Sequence, residues 1–139
     1  MDLFTLLGKR RDEDSDLPAS ADEVGFDAAA LLAGGVPVTP SEENRECLEA
    51  LRAVIDPEVG INIVDLGLVY AVACREGGID VVLTMTTPAC PLSAVIEEDV
   101  RDAIWEFVDP HAQVRVAVVF EPAWSPEMMS AYARQQLGR

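Results

Sequence analysis

Basic residues are scarce in this chain, and their scarcity argues against one large class of partners. Lysine and arginine together number 10, against 25 aspartate and glutamate residues, which gives a formal net charge of −15. Nucleic acids are bound mainly through patches of lysine and arginine, so we do not expect a nucleic-acid partner. The acidic excess favours solubility and, in a sharper interpretation, docking on a basic protein surface.

Long apolar runs are also missing, although 50% of the residues are hydrophobic. No stretch approaches the roughly 18–20 apolar residues that a membrane-spanning helix needs. The opening MDLFTLLGKRR places its positive charges after a very short apolar stretch, which is the reverse of a secretory signal. We therefore expect a cytoplasmic protein that does not associate with membranes.

Cysteine and histidine are too few for a closed metal site within one chain. The three cysteines, at positions 47, 74 and 90, are odd in number and do not fit a disulfide framework. Structural zinc takes four nitrogen or sulfur ligands, and iron–sulfur clusters are typically held by four thiolates. We predict packing roles for Cys47, on an apolar helix stripe, and Cys74, near a strand end. The single histidine, His111, is predicted to face solvent in a loop.

The composition changes at about residue 38. Residues 1–38 mix charge, proline, serine and small residues, which is typical of a disordered leader. Two apolar islands, around Phe4 and Phe26, could instead form short helices that dock on a partner or on the chain's own domain. Residues 39–139 are long enough to bury one adequate core and are predicted to form a single folded domain.

Residue periodicity predicts the element order α-β-β-α-β-α within that domain. The first helix is predicted to start with Thr39 as its N-cap and to end near Ile55, because Pro57 follows. The later elements are strands at 66–75 and 79–87 around an EGG hairpin, an amphipathic helix at 92–108, a strand at 112–120, and a helix from about 125 to 137. This order predicts an α+β fold with a small three-stranded mixed sheet and helices on one face. The first two strands are expected to be antiparallel, and the third parallel to one of them.

The segment TMTTPACPLS puts a thiol where a strand passes to a helix. If residues 92–108 are helical, Cys90 lies at or near the N-cap and Pro91 at the first helical position. Free amide groups there favour an anion, so a thiolate would be stabilised and become more reactive and more able to bind metal. The hydroxyls of Thr86 and Thr87 could donate hydrogen bonds to the sulfur. The alternative is that Cys90 is a small buried packing residue.

A second candidate feature is an acidic loop, DPEVGINIVDLG, before the first strand. It carries Asp56, Glu58 and Asp65 within ten positions. One interpretation is a rim of carboxylates that holds a cation or binds a partner. In the other, which spacing alone favours, Asp56 closes a turn through its own backbone and Asp65 anchors the start of the strand.

Three segments in the same order resemble the PaaD/SufT-type iron–sulfur cluster assembly family, whose small domain also occurs in the eukaryotic cytosolic iron–sulfur targeting factor. They are DPEVGINIVDLGLVY, VVLTMTTPACP and EPAWSPEMMSAYARQQLG, and the resemblance covers about residues 41–138. The family's motif positions match Asp56, Pro57, Glu58, Asp65, Leu66, Gly67, Thr86, Thr87, Cys90, Trp124, Ser125, Pro126 and Met129. One departure is EPAW, where the family often has PPW.

The resemblance implies a compact α+β fold and a role in maturing iron–sulfur proteins, as an assembly or targeting factor and not as an enzyme. It implies scaffold proteins and client apo-proteins as partners. No firmly bound cofactor is expected, but Cys90 would hold iron or a cluster transiently. A site shared between two chains would make a homodimer. Trp124 is either a lid on the core or a residue that faces a partner.

Two other functions stay open on the sequence alone. The chain could be an adaptor without metal that binds a multicomponent oxygenase or a scaffold through its acidic surface and leader. It could also be a thiol oxidoreductase that uses Cys90. No Cys–His pairing is evident, but a helix terminus by itself can activate a thiol.

Overall fold

The computed structural model describes residues 28–33, 35–87 and 93–138. The strands are β1 (Ile55–Asp56), β2 (Ile61–Asn62), β3 (Val69–Arg75), β4 (Gly78–Leu83) and β5 (Gln113–Val118). The helices are α1 (Ala28–Leu31), α2 (Arg45–Leu51), α3 (Ile63–Leu66), α4 (Ser93–Phe107) and α5 (Ala131–Gln136), with a 3-10 turn at Pro126–Met128. None of the helices in these stretches is long and apolar enough to cross a membrane.

The main sheet has the order β3-β4-β5. β3 and β4 are antiparallel, with Val69 opposite Leu83, and the hairpin between them turns at Gly77, whose φ of +76° suits glycine. β5 lies parallel to β4, with Leu83 opposite Val118, after the crossover through α4. The predicted three-stranded mixed sheet is therefore confirmed.

The principal core lies between one face of the sheet and the helices α2 and α4. Alternating β4 residues point into it, as their spacing predicts, and the apolar stripe of α4 covers them. Its fully buried members include Leu51, Ile63, Leu66, Val81, Leu83, Ile96, Val100 and Ile104. Burial of this apolar area is the main source of the domain's stability.

The opposite face of the sheet is covered as well. Ala28 of α1 is buried against Tyr70, Val82 and Ala117, and Leu31 and Leu32 pack at the edge of this smaller cluster. The sequence predicted helices on one face alone, because residues 28–38 were assigned to the leader. The described part of the second apolar island, residues 28–33, packs on the chain's own domain. Residues 1–27, with the first island, lie outside the described residues.

The start of the first long helix was predicted wrongly. Helix α2 begins at Arg45 and not after Thr39, because the Asn44 side chain stabilises a turn over residues 41–44. Its Oδ1 accepts a hydrogen bond from the Ser41 amide at 2.7 Å, and its Nδ2 donates one to the Thr39 carbonyl at 3.1 Å. Local bonds from asparagine to the backbone compete with helix formation in this way.

Two further boundaries also differ from the predictions. The helix stops at Leu51, and Ile55 and Asp56 instead pair with β2 in a small antiparallel ladder. The final helix was predicted to start at Ser125, but α5 begins at Ala131 after the 3-10 turn. Its N-cap is Ser130, whose hydroxyl accepts a bond from the Ala133 amide at 3.2 Å.

Candidate functional site

One end of the main sheet gathers several of the sequence motifs. β3 starts there and the parallel strands β4 and β5 end there, so the segments on either side of these strands are neighbours. The backbone is tied across this end by the Thr84 amide, which donates to the Leu68 carbonyl at 2.8 Å, and by the Val119 amide, which donates to the Leu83 carbonyl at 2.8 Å. We call this region, where β3 starts at Val69 and β4 and β5 end at Leu83 and Val118, the β4 end of the domain.

The turn that carries the predicted thiol connects β4 to α4. Thr86 and Thr87 are exposed just after β4, and α4 begins at Ser93 and runs for 15 residues. Cys90 and Pro91 lie outside the described residues, so the helix-terminal thiol stays a prediction. The flanking residues place both ends of this connection on the accessible surface of the β4 end.

Asp65 has a structural role at this end. It is 9% exposed, and its Oδ2 accepts bonds from Arg52 Nη1 at 2.9 Å and from Asn62 Nδ2 at 2.7 Å. Burial raises the pKa of this carboxyl, but the bonds from Asn62 and Ser130 and the Arg52 guanidinium outweigh it and leave the pKa below its usual value. Asp65 is thus an ionised anchor for α3, just before β3. This agrees with the second interpretation of the acidic loop, in which Asp65 anchors the chain at the start of the strand.

The other acidic residues of the loop do not join Asp65 in a cation site. Asp56 is buried, and its Oδ1 accepts the Glu58 amide at 2.8 Å, which is the predicted backbone turn. Glu58 itself is exposed. In residues 28–33, 35–87 and 93–138, no group of three or more His, Cys, Asp or Glu side chains could hold a metal ion. The cation-binding interpretation of the loop gains no support from this arrangement.

The DLG motif (residues 65–67) and the closing segment (residues 121–138) are in direct contact, although about 60 residues separate the contacting positions. The Trp124 indole donates to the Leu66 carbonyl at 2.8 Å, and the Ser130 amide donates to the Asp65 carbonyl at 2.8 Å. Gly67 ends α3 with a φ of +80° and lies so close to Met128 that a Cβ would overlap the Met128 carbonyl. Two of the motifs therefore form one packed junction at the β4 end.

Trp124 closes the junction from outside. Its ring is half-buried and packs against the principal core, and its only polar atom is used by the Leu66 carbonyl. The core-lid interpretation therefore describes the buried side of the ring. The exposed side of the ring could contact a partner, and this partner-facing role of Trp124 stays a prediction.

Replacing Trp124 with phenylalanine tests the indole hydrogen bond. We expect Trp124→Phe to lower the free energy of unfolding by about 1 kcal/mol, because the ring is kept while the Leu66 carbonyl loses its donor. Urea denaturation measures the change. Trp105→Phe is the matched control, since it removes a similar bond to the Ala112 carbonyl from a more exposed ring. If Trp124→Phe lowers the free energy of unfolding by no more than Trp105→Phe does, the bond from Trp124 to Leu66 is not especially important for stability.

The remaining cysteines and the histidine lie at the opposite end of the sheet. His111 is exposed in the turn before β5, and Cys74 pairs with Ile79 near the start of β4. β4 has six residues, which at about 3.3 Å each span roughly 20 Å. Both side chains are therefore separated by the length of the sheet from the turn that follows β4.

The sequence predictions for Cys47 and Cys74 need one correction. Cys47 is 2% exposed, so its packing role is confirmed. Cys74 is exposed, so it is not a buried packing residue, and its sulfur lies 4.0 Å from that of Cys47. Their contact depends on how α2 packs across the end of β3, which no local pattern reveals.

The residues that hold Asp65 were also missed. Asn62 caps α3 by accepting the Asp65 amide at 2.8 Å, and its position three residues ahead of Asp65 is a capping signal that sequence could have provided. Arg52 and Ser130 come from distant parts of the chain and carry no comparable local signal.

Comparison with known proteins identifies the family. A model of the iron–sulfur cluster assembly protein family matches residues 44–122. The chain is 39% identical over 98 residues to an Fe-S protein maturation auxiliary factor of Porphyromonas gingivalis, which covers 70% of this chain and 92% of that protein. It is 42% identical over 87 residues to the Fe-S protein maturation auxiliary factor SufT of Staphylococcus aureus, covering 61% and 97%.

A solved structure supports the fold independently. The crystal structure of a domain of unknown function from Bacillus anthracis matches with a TM-score of 0.66 and 41% identity, over 69% of this chain and 91% of that one. The family match spans the acidic loop, the DLG motif, the T-x-x-C-P sequence at residues 87–91 and the cis Glu121-Pro122 bond before Trp124. The chain belongs to the iron–sulfur cluster assembly family and serves in the maturation of iron–sulfur proteins.

Proposed function

We propose that the protein holds iron or an iron–sulfur cluster transiently through Cys90 and passes it to client apo-proteins, without acting as an enzyme. The observation that carries this proposal is the family match across residues 44–122, which includes the T-x-x-C-P turn. The cluster is cargo in this scheme and not a resident cofactor.

The position of the turn supports transfer over storage. Its described flanks, Thr86, Thr87 and Ser93, lie at the surface of the β4 end, where a partner can approach. Amide groups and the dipole at the start of a long helix favour a nearby anion, so a thiolate from the residues just before α4 would be stabilised. A single thiolate binds a cluster weakly, since iron–sulfur clusters are typically held by four thiolate ligands. A second chain, a partner or a small thiol would supply the other ligands.

The surroundings of the turn give little support to enzymatic use of Cys90. A catalytic thiol usually works with a nearby base, and His111 is at the far end of the sheet. Asp65, the buried carboxylate of the β4 end, is already engaged by Arg52 and Asn62. These features favour a carrier over a thiol oxidoreductase.

The charge of the chain supports recognition of scaffold and client proteins through basic surfaces. The side of the domain formed by α2 and α4 has a negative surface. Its exposed acidic residues, just before α2, on α2 and along α4, are Glu42, Glu43, Glu46, Glu49, Glu98, Asp99, Asp102 and Glu106. Complementary charge accelerates association and excludes partners of the wrong sign. Association should therefore weaken as salt is raised.

Substitution of Cys90 tests the carrier role. We expect Cys90→Ala to lower iron bound after anaerobic reconstitution with iron and sulfide by about tenfold or more, and to abolish the rescue of a client iron–sulfur enzyme in a strain that lacks this protein. Bound iron, the visible absorbance of the cluster and client activity are the measurements. Cys74→Ala is the matched control, because it removes an exposed thiol at the other end of the sheet.

The outcomes separate the carrier from the alternatives. Equal rescue and equal iron binding by wild type and Cys90→Ala would show that this thiol has no role. Loss of rescue with no iron bound by either protein would favour an adaptor over a carrier. Turnover of a model disulfide or peroxide that depends on Cys90 would favour the oxidoreductase. Size-exclusion chromatography of the reconstituted protein would show whether loading produces a homodimer.

A further inference from the structure

A pair of thiols lies far from the proposed cluster turn and is independent of it. Cys47 is in the middle of α2, Cys74 is next to the last residue of β3, and their sulfur atoms are 4.0 Å apart. In the described part of the chain these are the free cysteines. Two thiols this close, on elements fixed by the principal core and by the sheet, form a dithiol and not an isolated cysteine.

The two thiols differ in exposure in the way that a stepwise reaction requires. Cys74 is exposed, and its thiol contacts the Glu43 carbonyl at 3.7 Å. Cys47 is 2% exposed, so a reagent that enters from solution meets the Cys74 thiol first. A disulfide needs a sulfur–sulfur distance of about 2.05 Å, so the two sulfurs must approach each other, and the exposed Cys74 side chain is less confined by packing than Cys47.

Both thiols line a surface cleft of about 210 Å³. Three acidic residues border it, Glu43, Glu46 and Asp109, together with Arg75. The Arg75 guanidinium pairs with Asp80 at 3.0 Å and shares that carboxylate with Arg115, and at the cleft border the three carboxylates outnumber this one guanidinium. The cleft is therefore wide enough for a small molecule beside Cys74, and its uncompensated charge is negative.

We propose that Cys47 and Cys74 form a redox-active dithiol that is oxidised to an intramolecular disulfide by low-molecular-weight disulfides, with preference for cationic over anionic ones. The preference follows from the acidic border of the cleft, which raises the local concentration of cations and repels anions.

The reaction has two balanced steps. The Cys74 thiolate attacks one sulfur of the reagent, the reagent's S–S bond breaks, and one reagent half leaves as a thiolate while the other stays on Cys74 as a mixed disulfide. The Cys47 sulfur then attacks the Cys74 sulfur, and the second half leaves with the Cys47 proton. In total, two protein thiols lose two electrons and two protons, and the external disulfide is reduced to two thiols.

The order of the steps agrees with the electrostatics at Cys47. Burial, together with the nearby Cys74 and Glu46 charges, raises the pKa of Cys47 to about 12. A thiol in this state is a poor first nucleophile at neutral pH. When Cys74 is held as a mixed disulfide it carries no charge, so one of the influences that keep Cys47 protonated is removed.

Tryptic mapping tests the disulfide directly in the full chain. Cleavage after arginine places Cys47, Cys74 and Cys90 in three different peptides, residues 46–52, 53–75 and 76–101. Protein is treated with cystamine, quenched with N-ethylmaleimide and digested without reduction. The expected product is monomeric protein in which peptides 46–52 and 53–75 are linked with loss of two hydrogens, while peptide 76–101, with Cys90, is not part of the link.

Reagent charge and cysteine variants complete the test. We expect cystamine to react at least about threefold faster than the dianionic dithiodipropionate at low ionic strength, and the difference to shrink with added salt. Cys47→Ala should stop at the mixed disulfide on Cys74, and Cys74→Ser should leave Cys47 unmodified. Cys90→Ser should leave the link intact.

Several results would overturn the proposal. They are a mixed disulfide that persists on Cys74 in the wild type, a link that includes peptide 76–101, or a product that is only a disulfide-linked dimer. Faster reaction with the dianionic reagent would show that the charge of the cleft does not select the partner. None of these results depends on Cys90 binding iron, so the cluster-carrier function and the dithiol stand or fall separately.

Discussion

Gly67→Ala is expected to lower the free energy of unfolding by at least about 3 kcal/mol, the largest effect of any single substitution considered. Two costs combine at this position. Gly67 has a φ of +80°, a conformation that costs a residue with a Cβ roughly 1–2 kcal/mol. The added Cβ would also overlap the backbone carbonyl of Met128, which cannot move without pulling the closing segment off α3.

A second glycine separates these two costs. Gly77 has a similar φ of +76° in the β3–β4 hairpin, but nothing lies within 4 Å of the position its Cβ would occupy. We expect Gly77→Ala to cost only the backbone contribution, roughly 1–2 kcal/mol. Chemical denaturation of both variants gives the difference. Equal losses would mean that the contact between Gly67 and Met128 contributes nothing.

The junction around Gly67 also links stability to the proposed function. The Trp124 indole and the Ser130 amide reach the two residues before Gly67, so displacing the closing segment would break both bonds. At a low temperature at which Gly67→Ala is still folded, this variant should therefore rescue a client iron–sulfur enzyme less well than Gly77→Ala does. The comparison is made at equal expression levels. Full rescue by Gly67→Ala would disconnect this junction from maturation.

Asp80→Asn is expected to give the second large effect, a loss of about 1–3 kcal/mol at neutral pH. Asp80 is 6% exposed and receives two bonds from Arg115, Nε to Oδ1 at 2.7 Å and Nη2 to Oδ2 at 2.8 Å. Arg75 adds a bond from Nε at 3.0 Å, so one carboxylate connects all three strands of the sheet. An asparagine removes the charge and turns one acceptor into a donor that faces guanidinium groups.

The effect should depend on pH in a definite direction. Burial raises the pKa of Asp80, but the hydrogen bonds and charges of Arg115 and Arg75 outweigh it, so the pKa lies below its usual range. In the unfolded chain the same carboxyl titrates at about 3.9. Its contribution to stability is therefore complete above that value and is lost as the pH falls through the lower, folded-state pKa.

Urea titrations at several pH values measure this dependence. The difference between wild type and Asp80→Asn should be greatest near neutral pH and shrink below about pH 4. Asp102→Asn makes the same chemical change on the exposed surface of α4 and should stay within about 0.5 kcal/mol of wild type. A difference for Asp80→Asn that is constant with pH would show that charge is not the cause.

The local patterns that have one physical cause were predictive. The alternation in β4, the hairpin glycine, and the apolar stripe of α4 led to the observed sheet and to the helix at Ser93–Phe107, within one residue of the predicted bounds at each end. Predictions failed where a side chain had a competing local partner. Asn44 bonds the backbone of residues 39 and 41 and delays α2, and Asn62 caps a short helix where a loop was expected.

The candidate site was predictable in part for the same reason. The turn formed by Asp56 needs only the Glu58 amide two residues away, so sequence identified it. Asp65 is held partly by Arg52 and Ser130, and Cys47 meets Cys74 only because α2 packs on the end of β3. Contacts between distant segments depend on the packing of whole elements, which a pattern of a few residues does not specify.

The sequence by itself determined the α+β class, the antiparallel and parallel strand pairings, the excess of negative charge, and the family motifs that point to iron–sulfur maturation. The first three follow from periodicity, turn chemistry and composition, which act over a few residues or over the whole chain, whereas the motifs point to maturation through their resemblance to a known family. Only the tertiary structure decided that the DLG motif and the closing segment form one junction. It also brought Cys47 and Cys74 together, because both contacts arise when elements far apart in the chain bury their apolar faces in a common core.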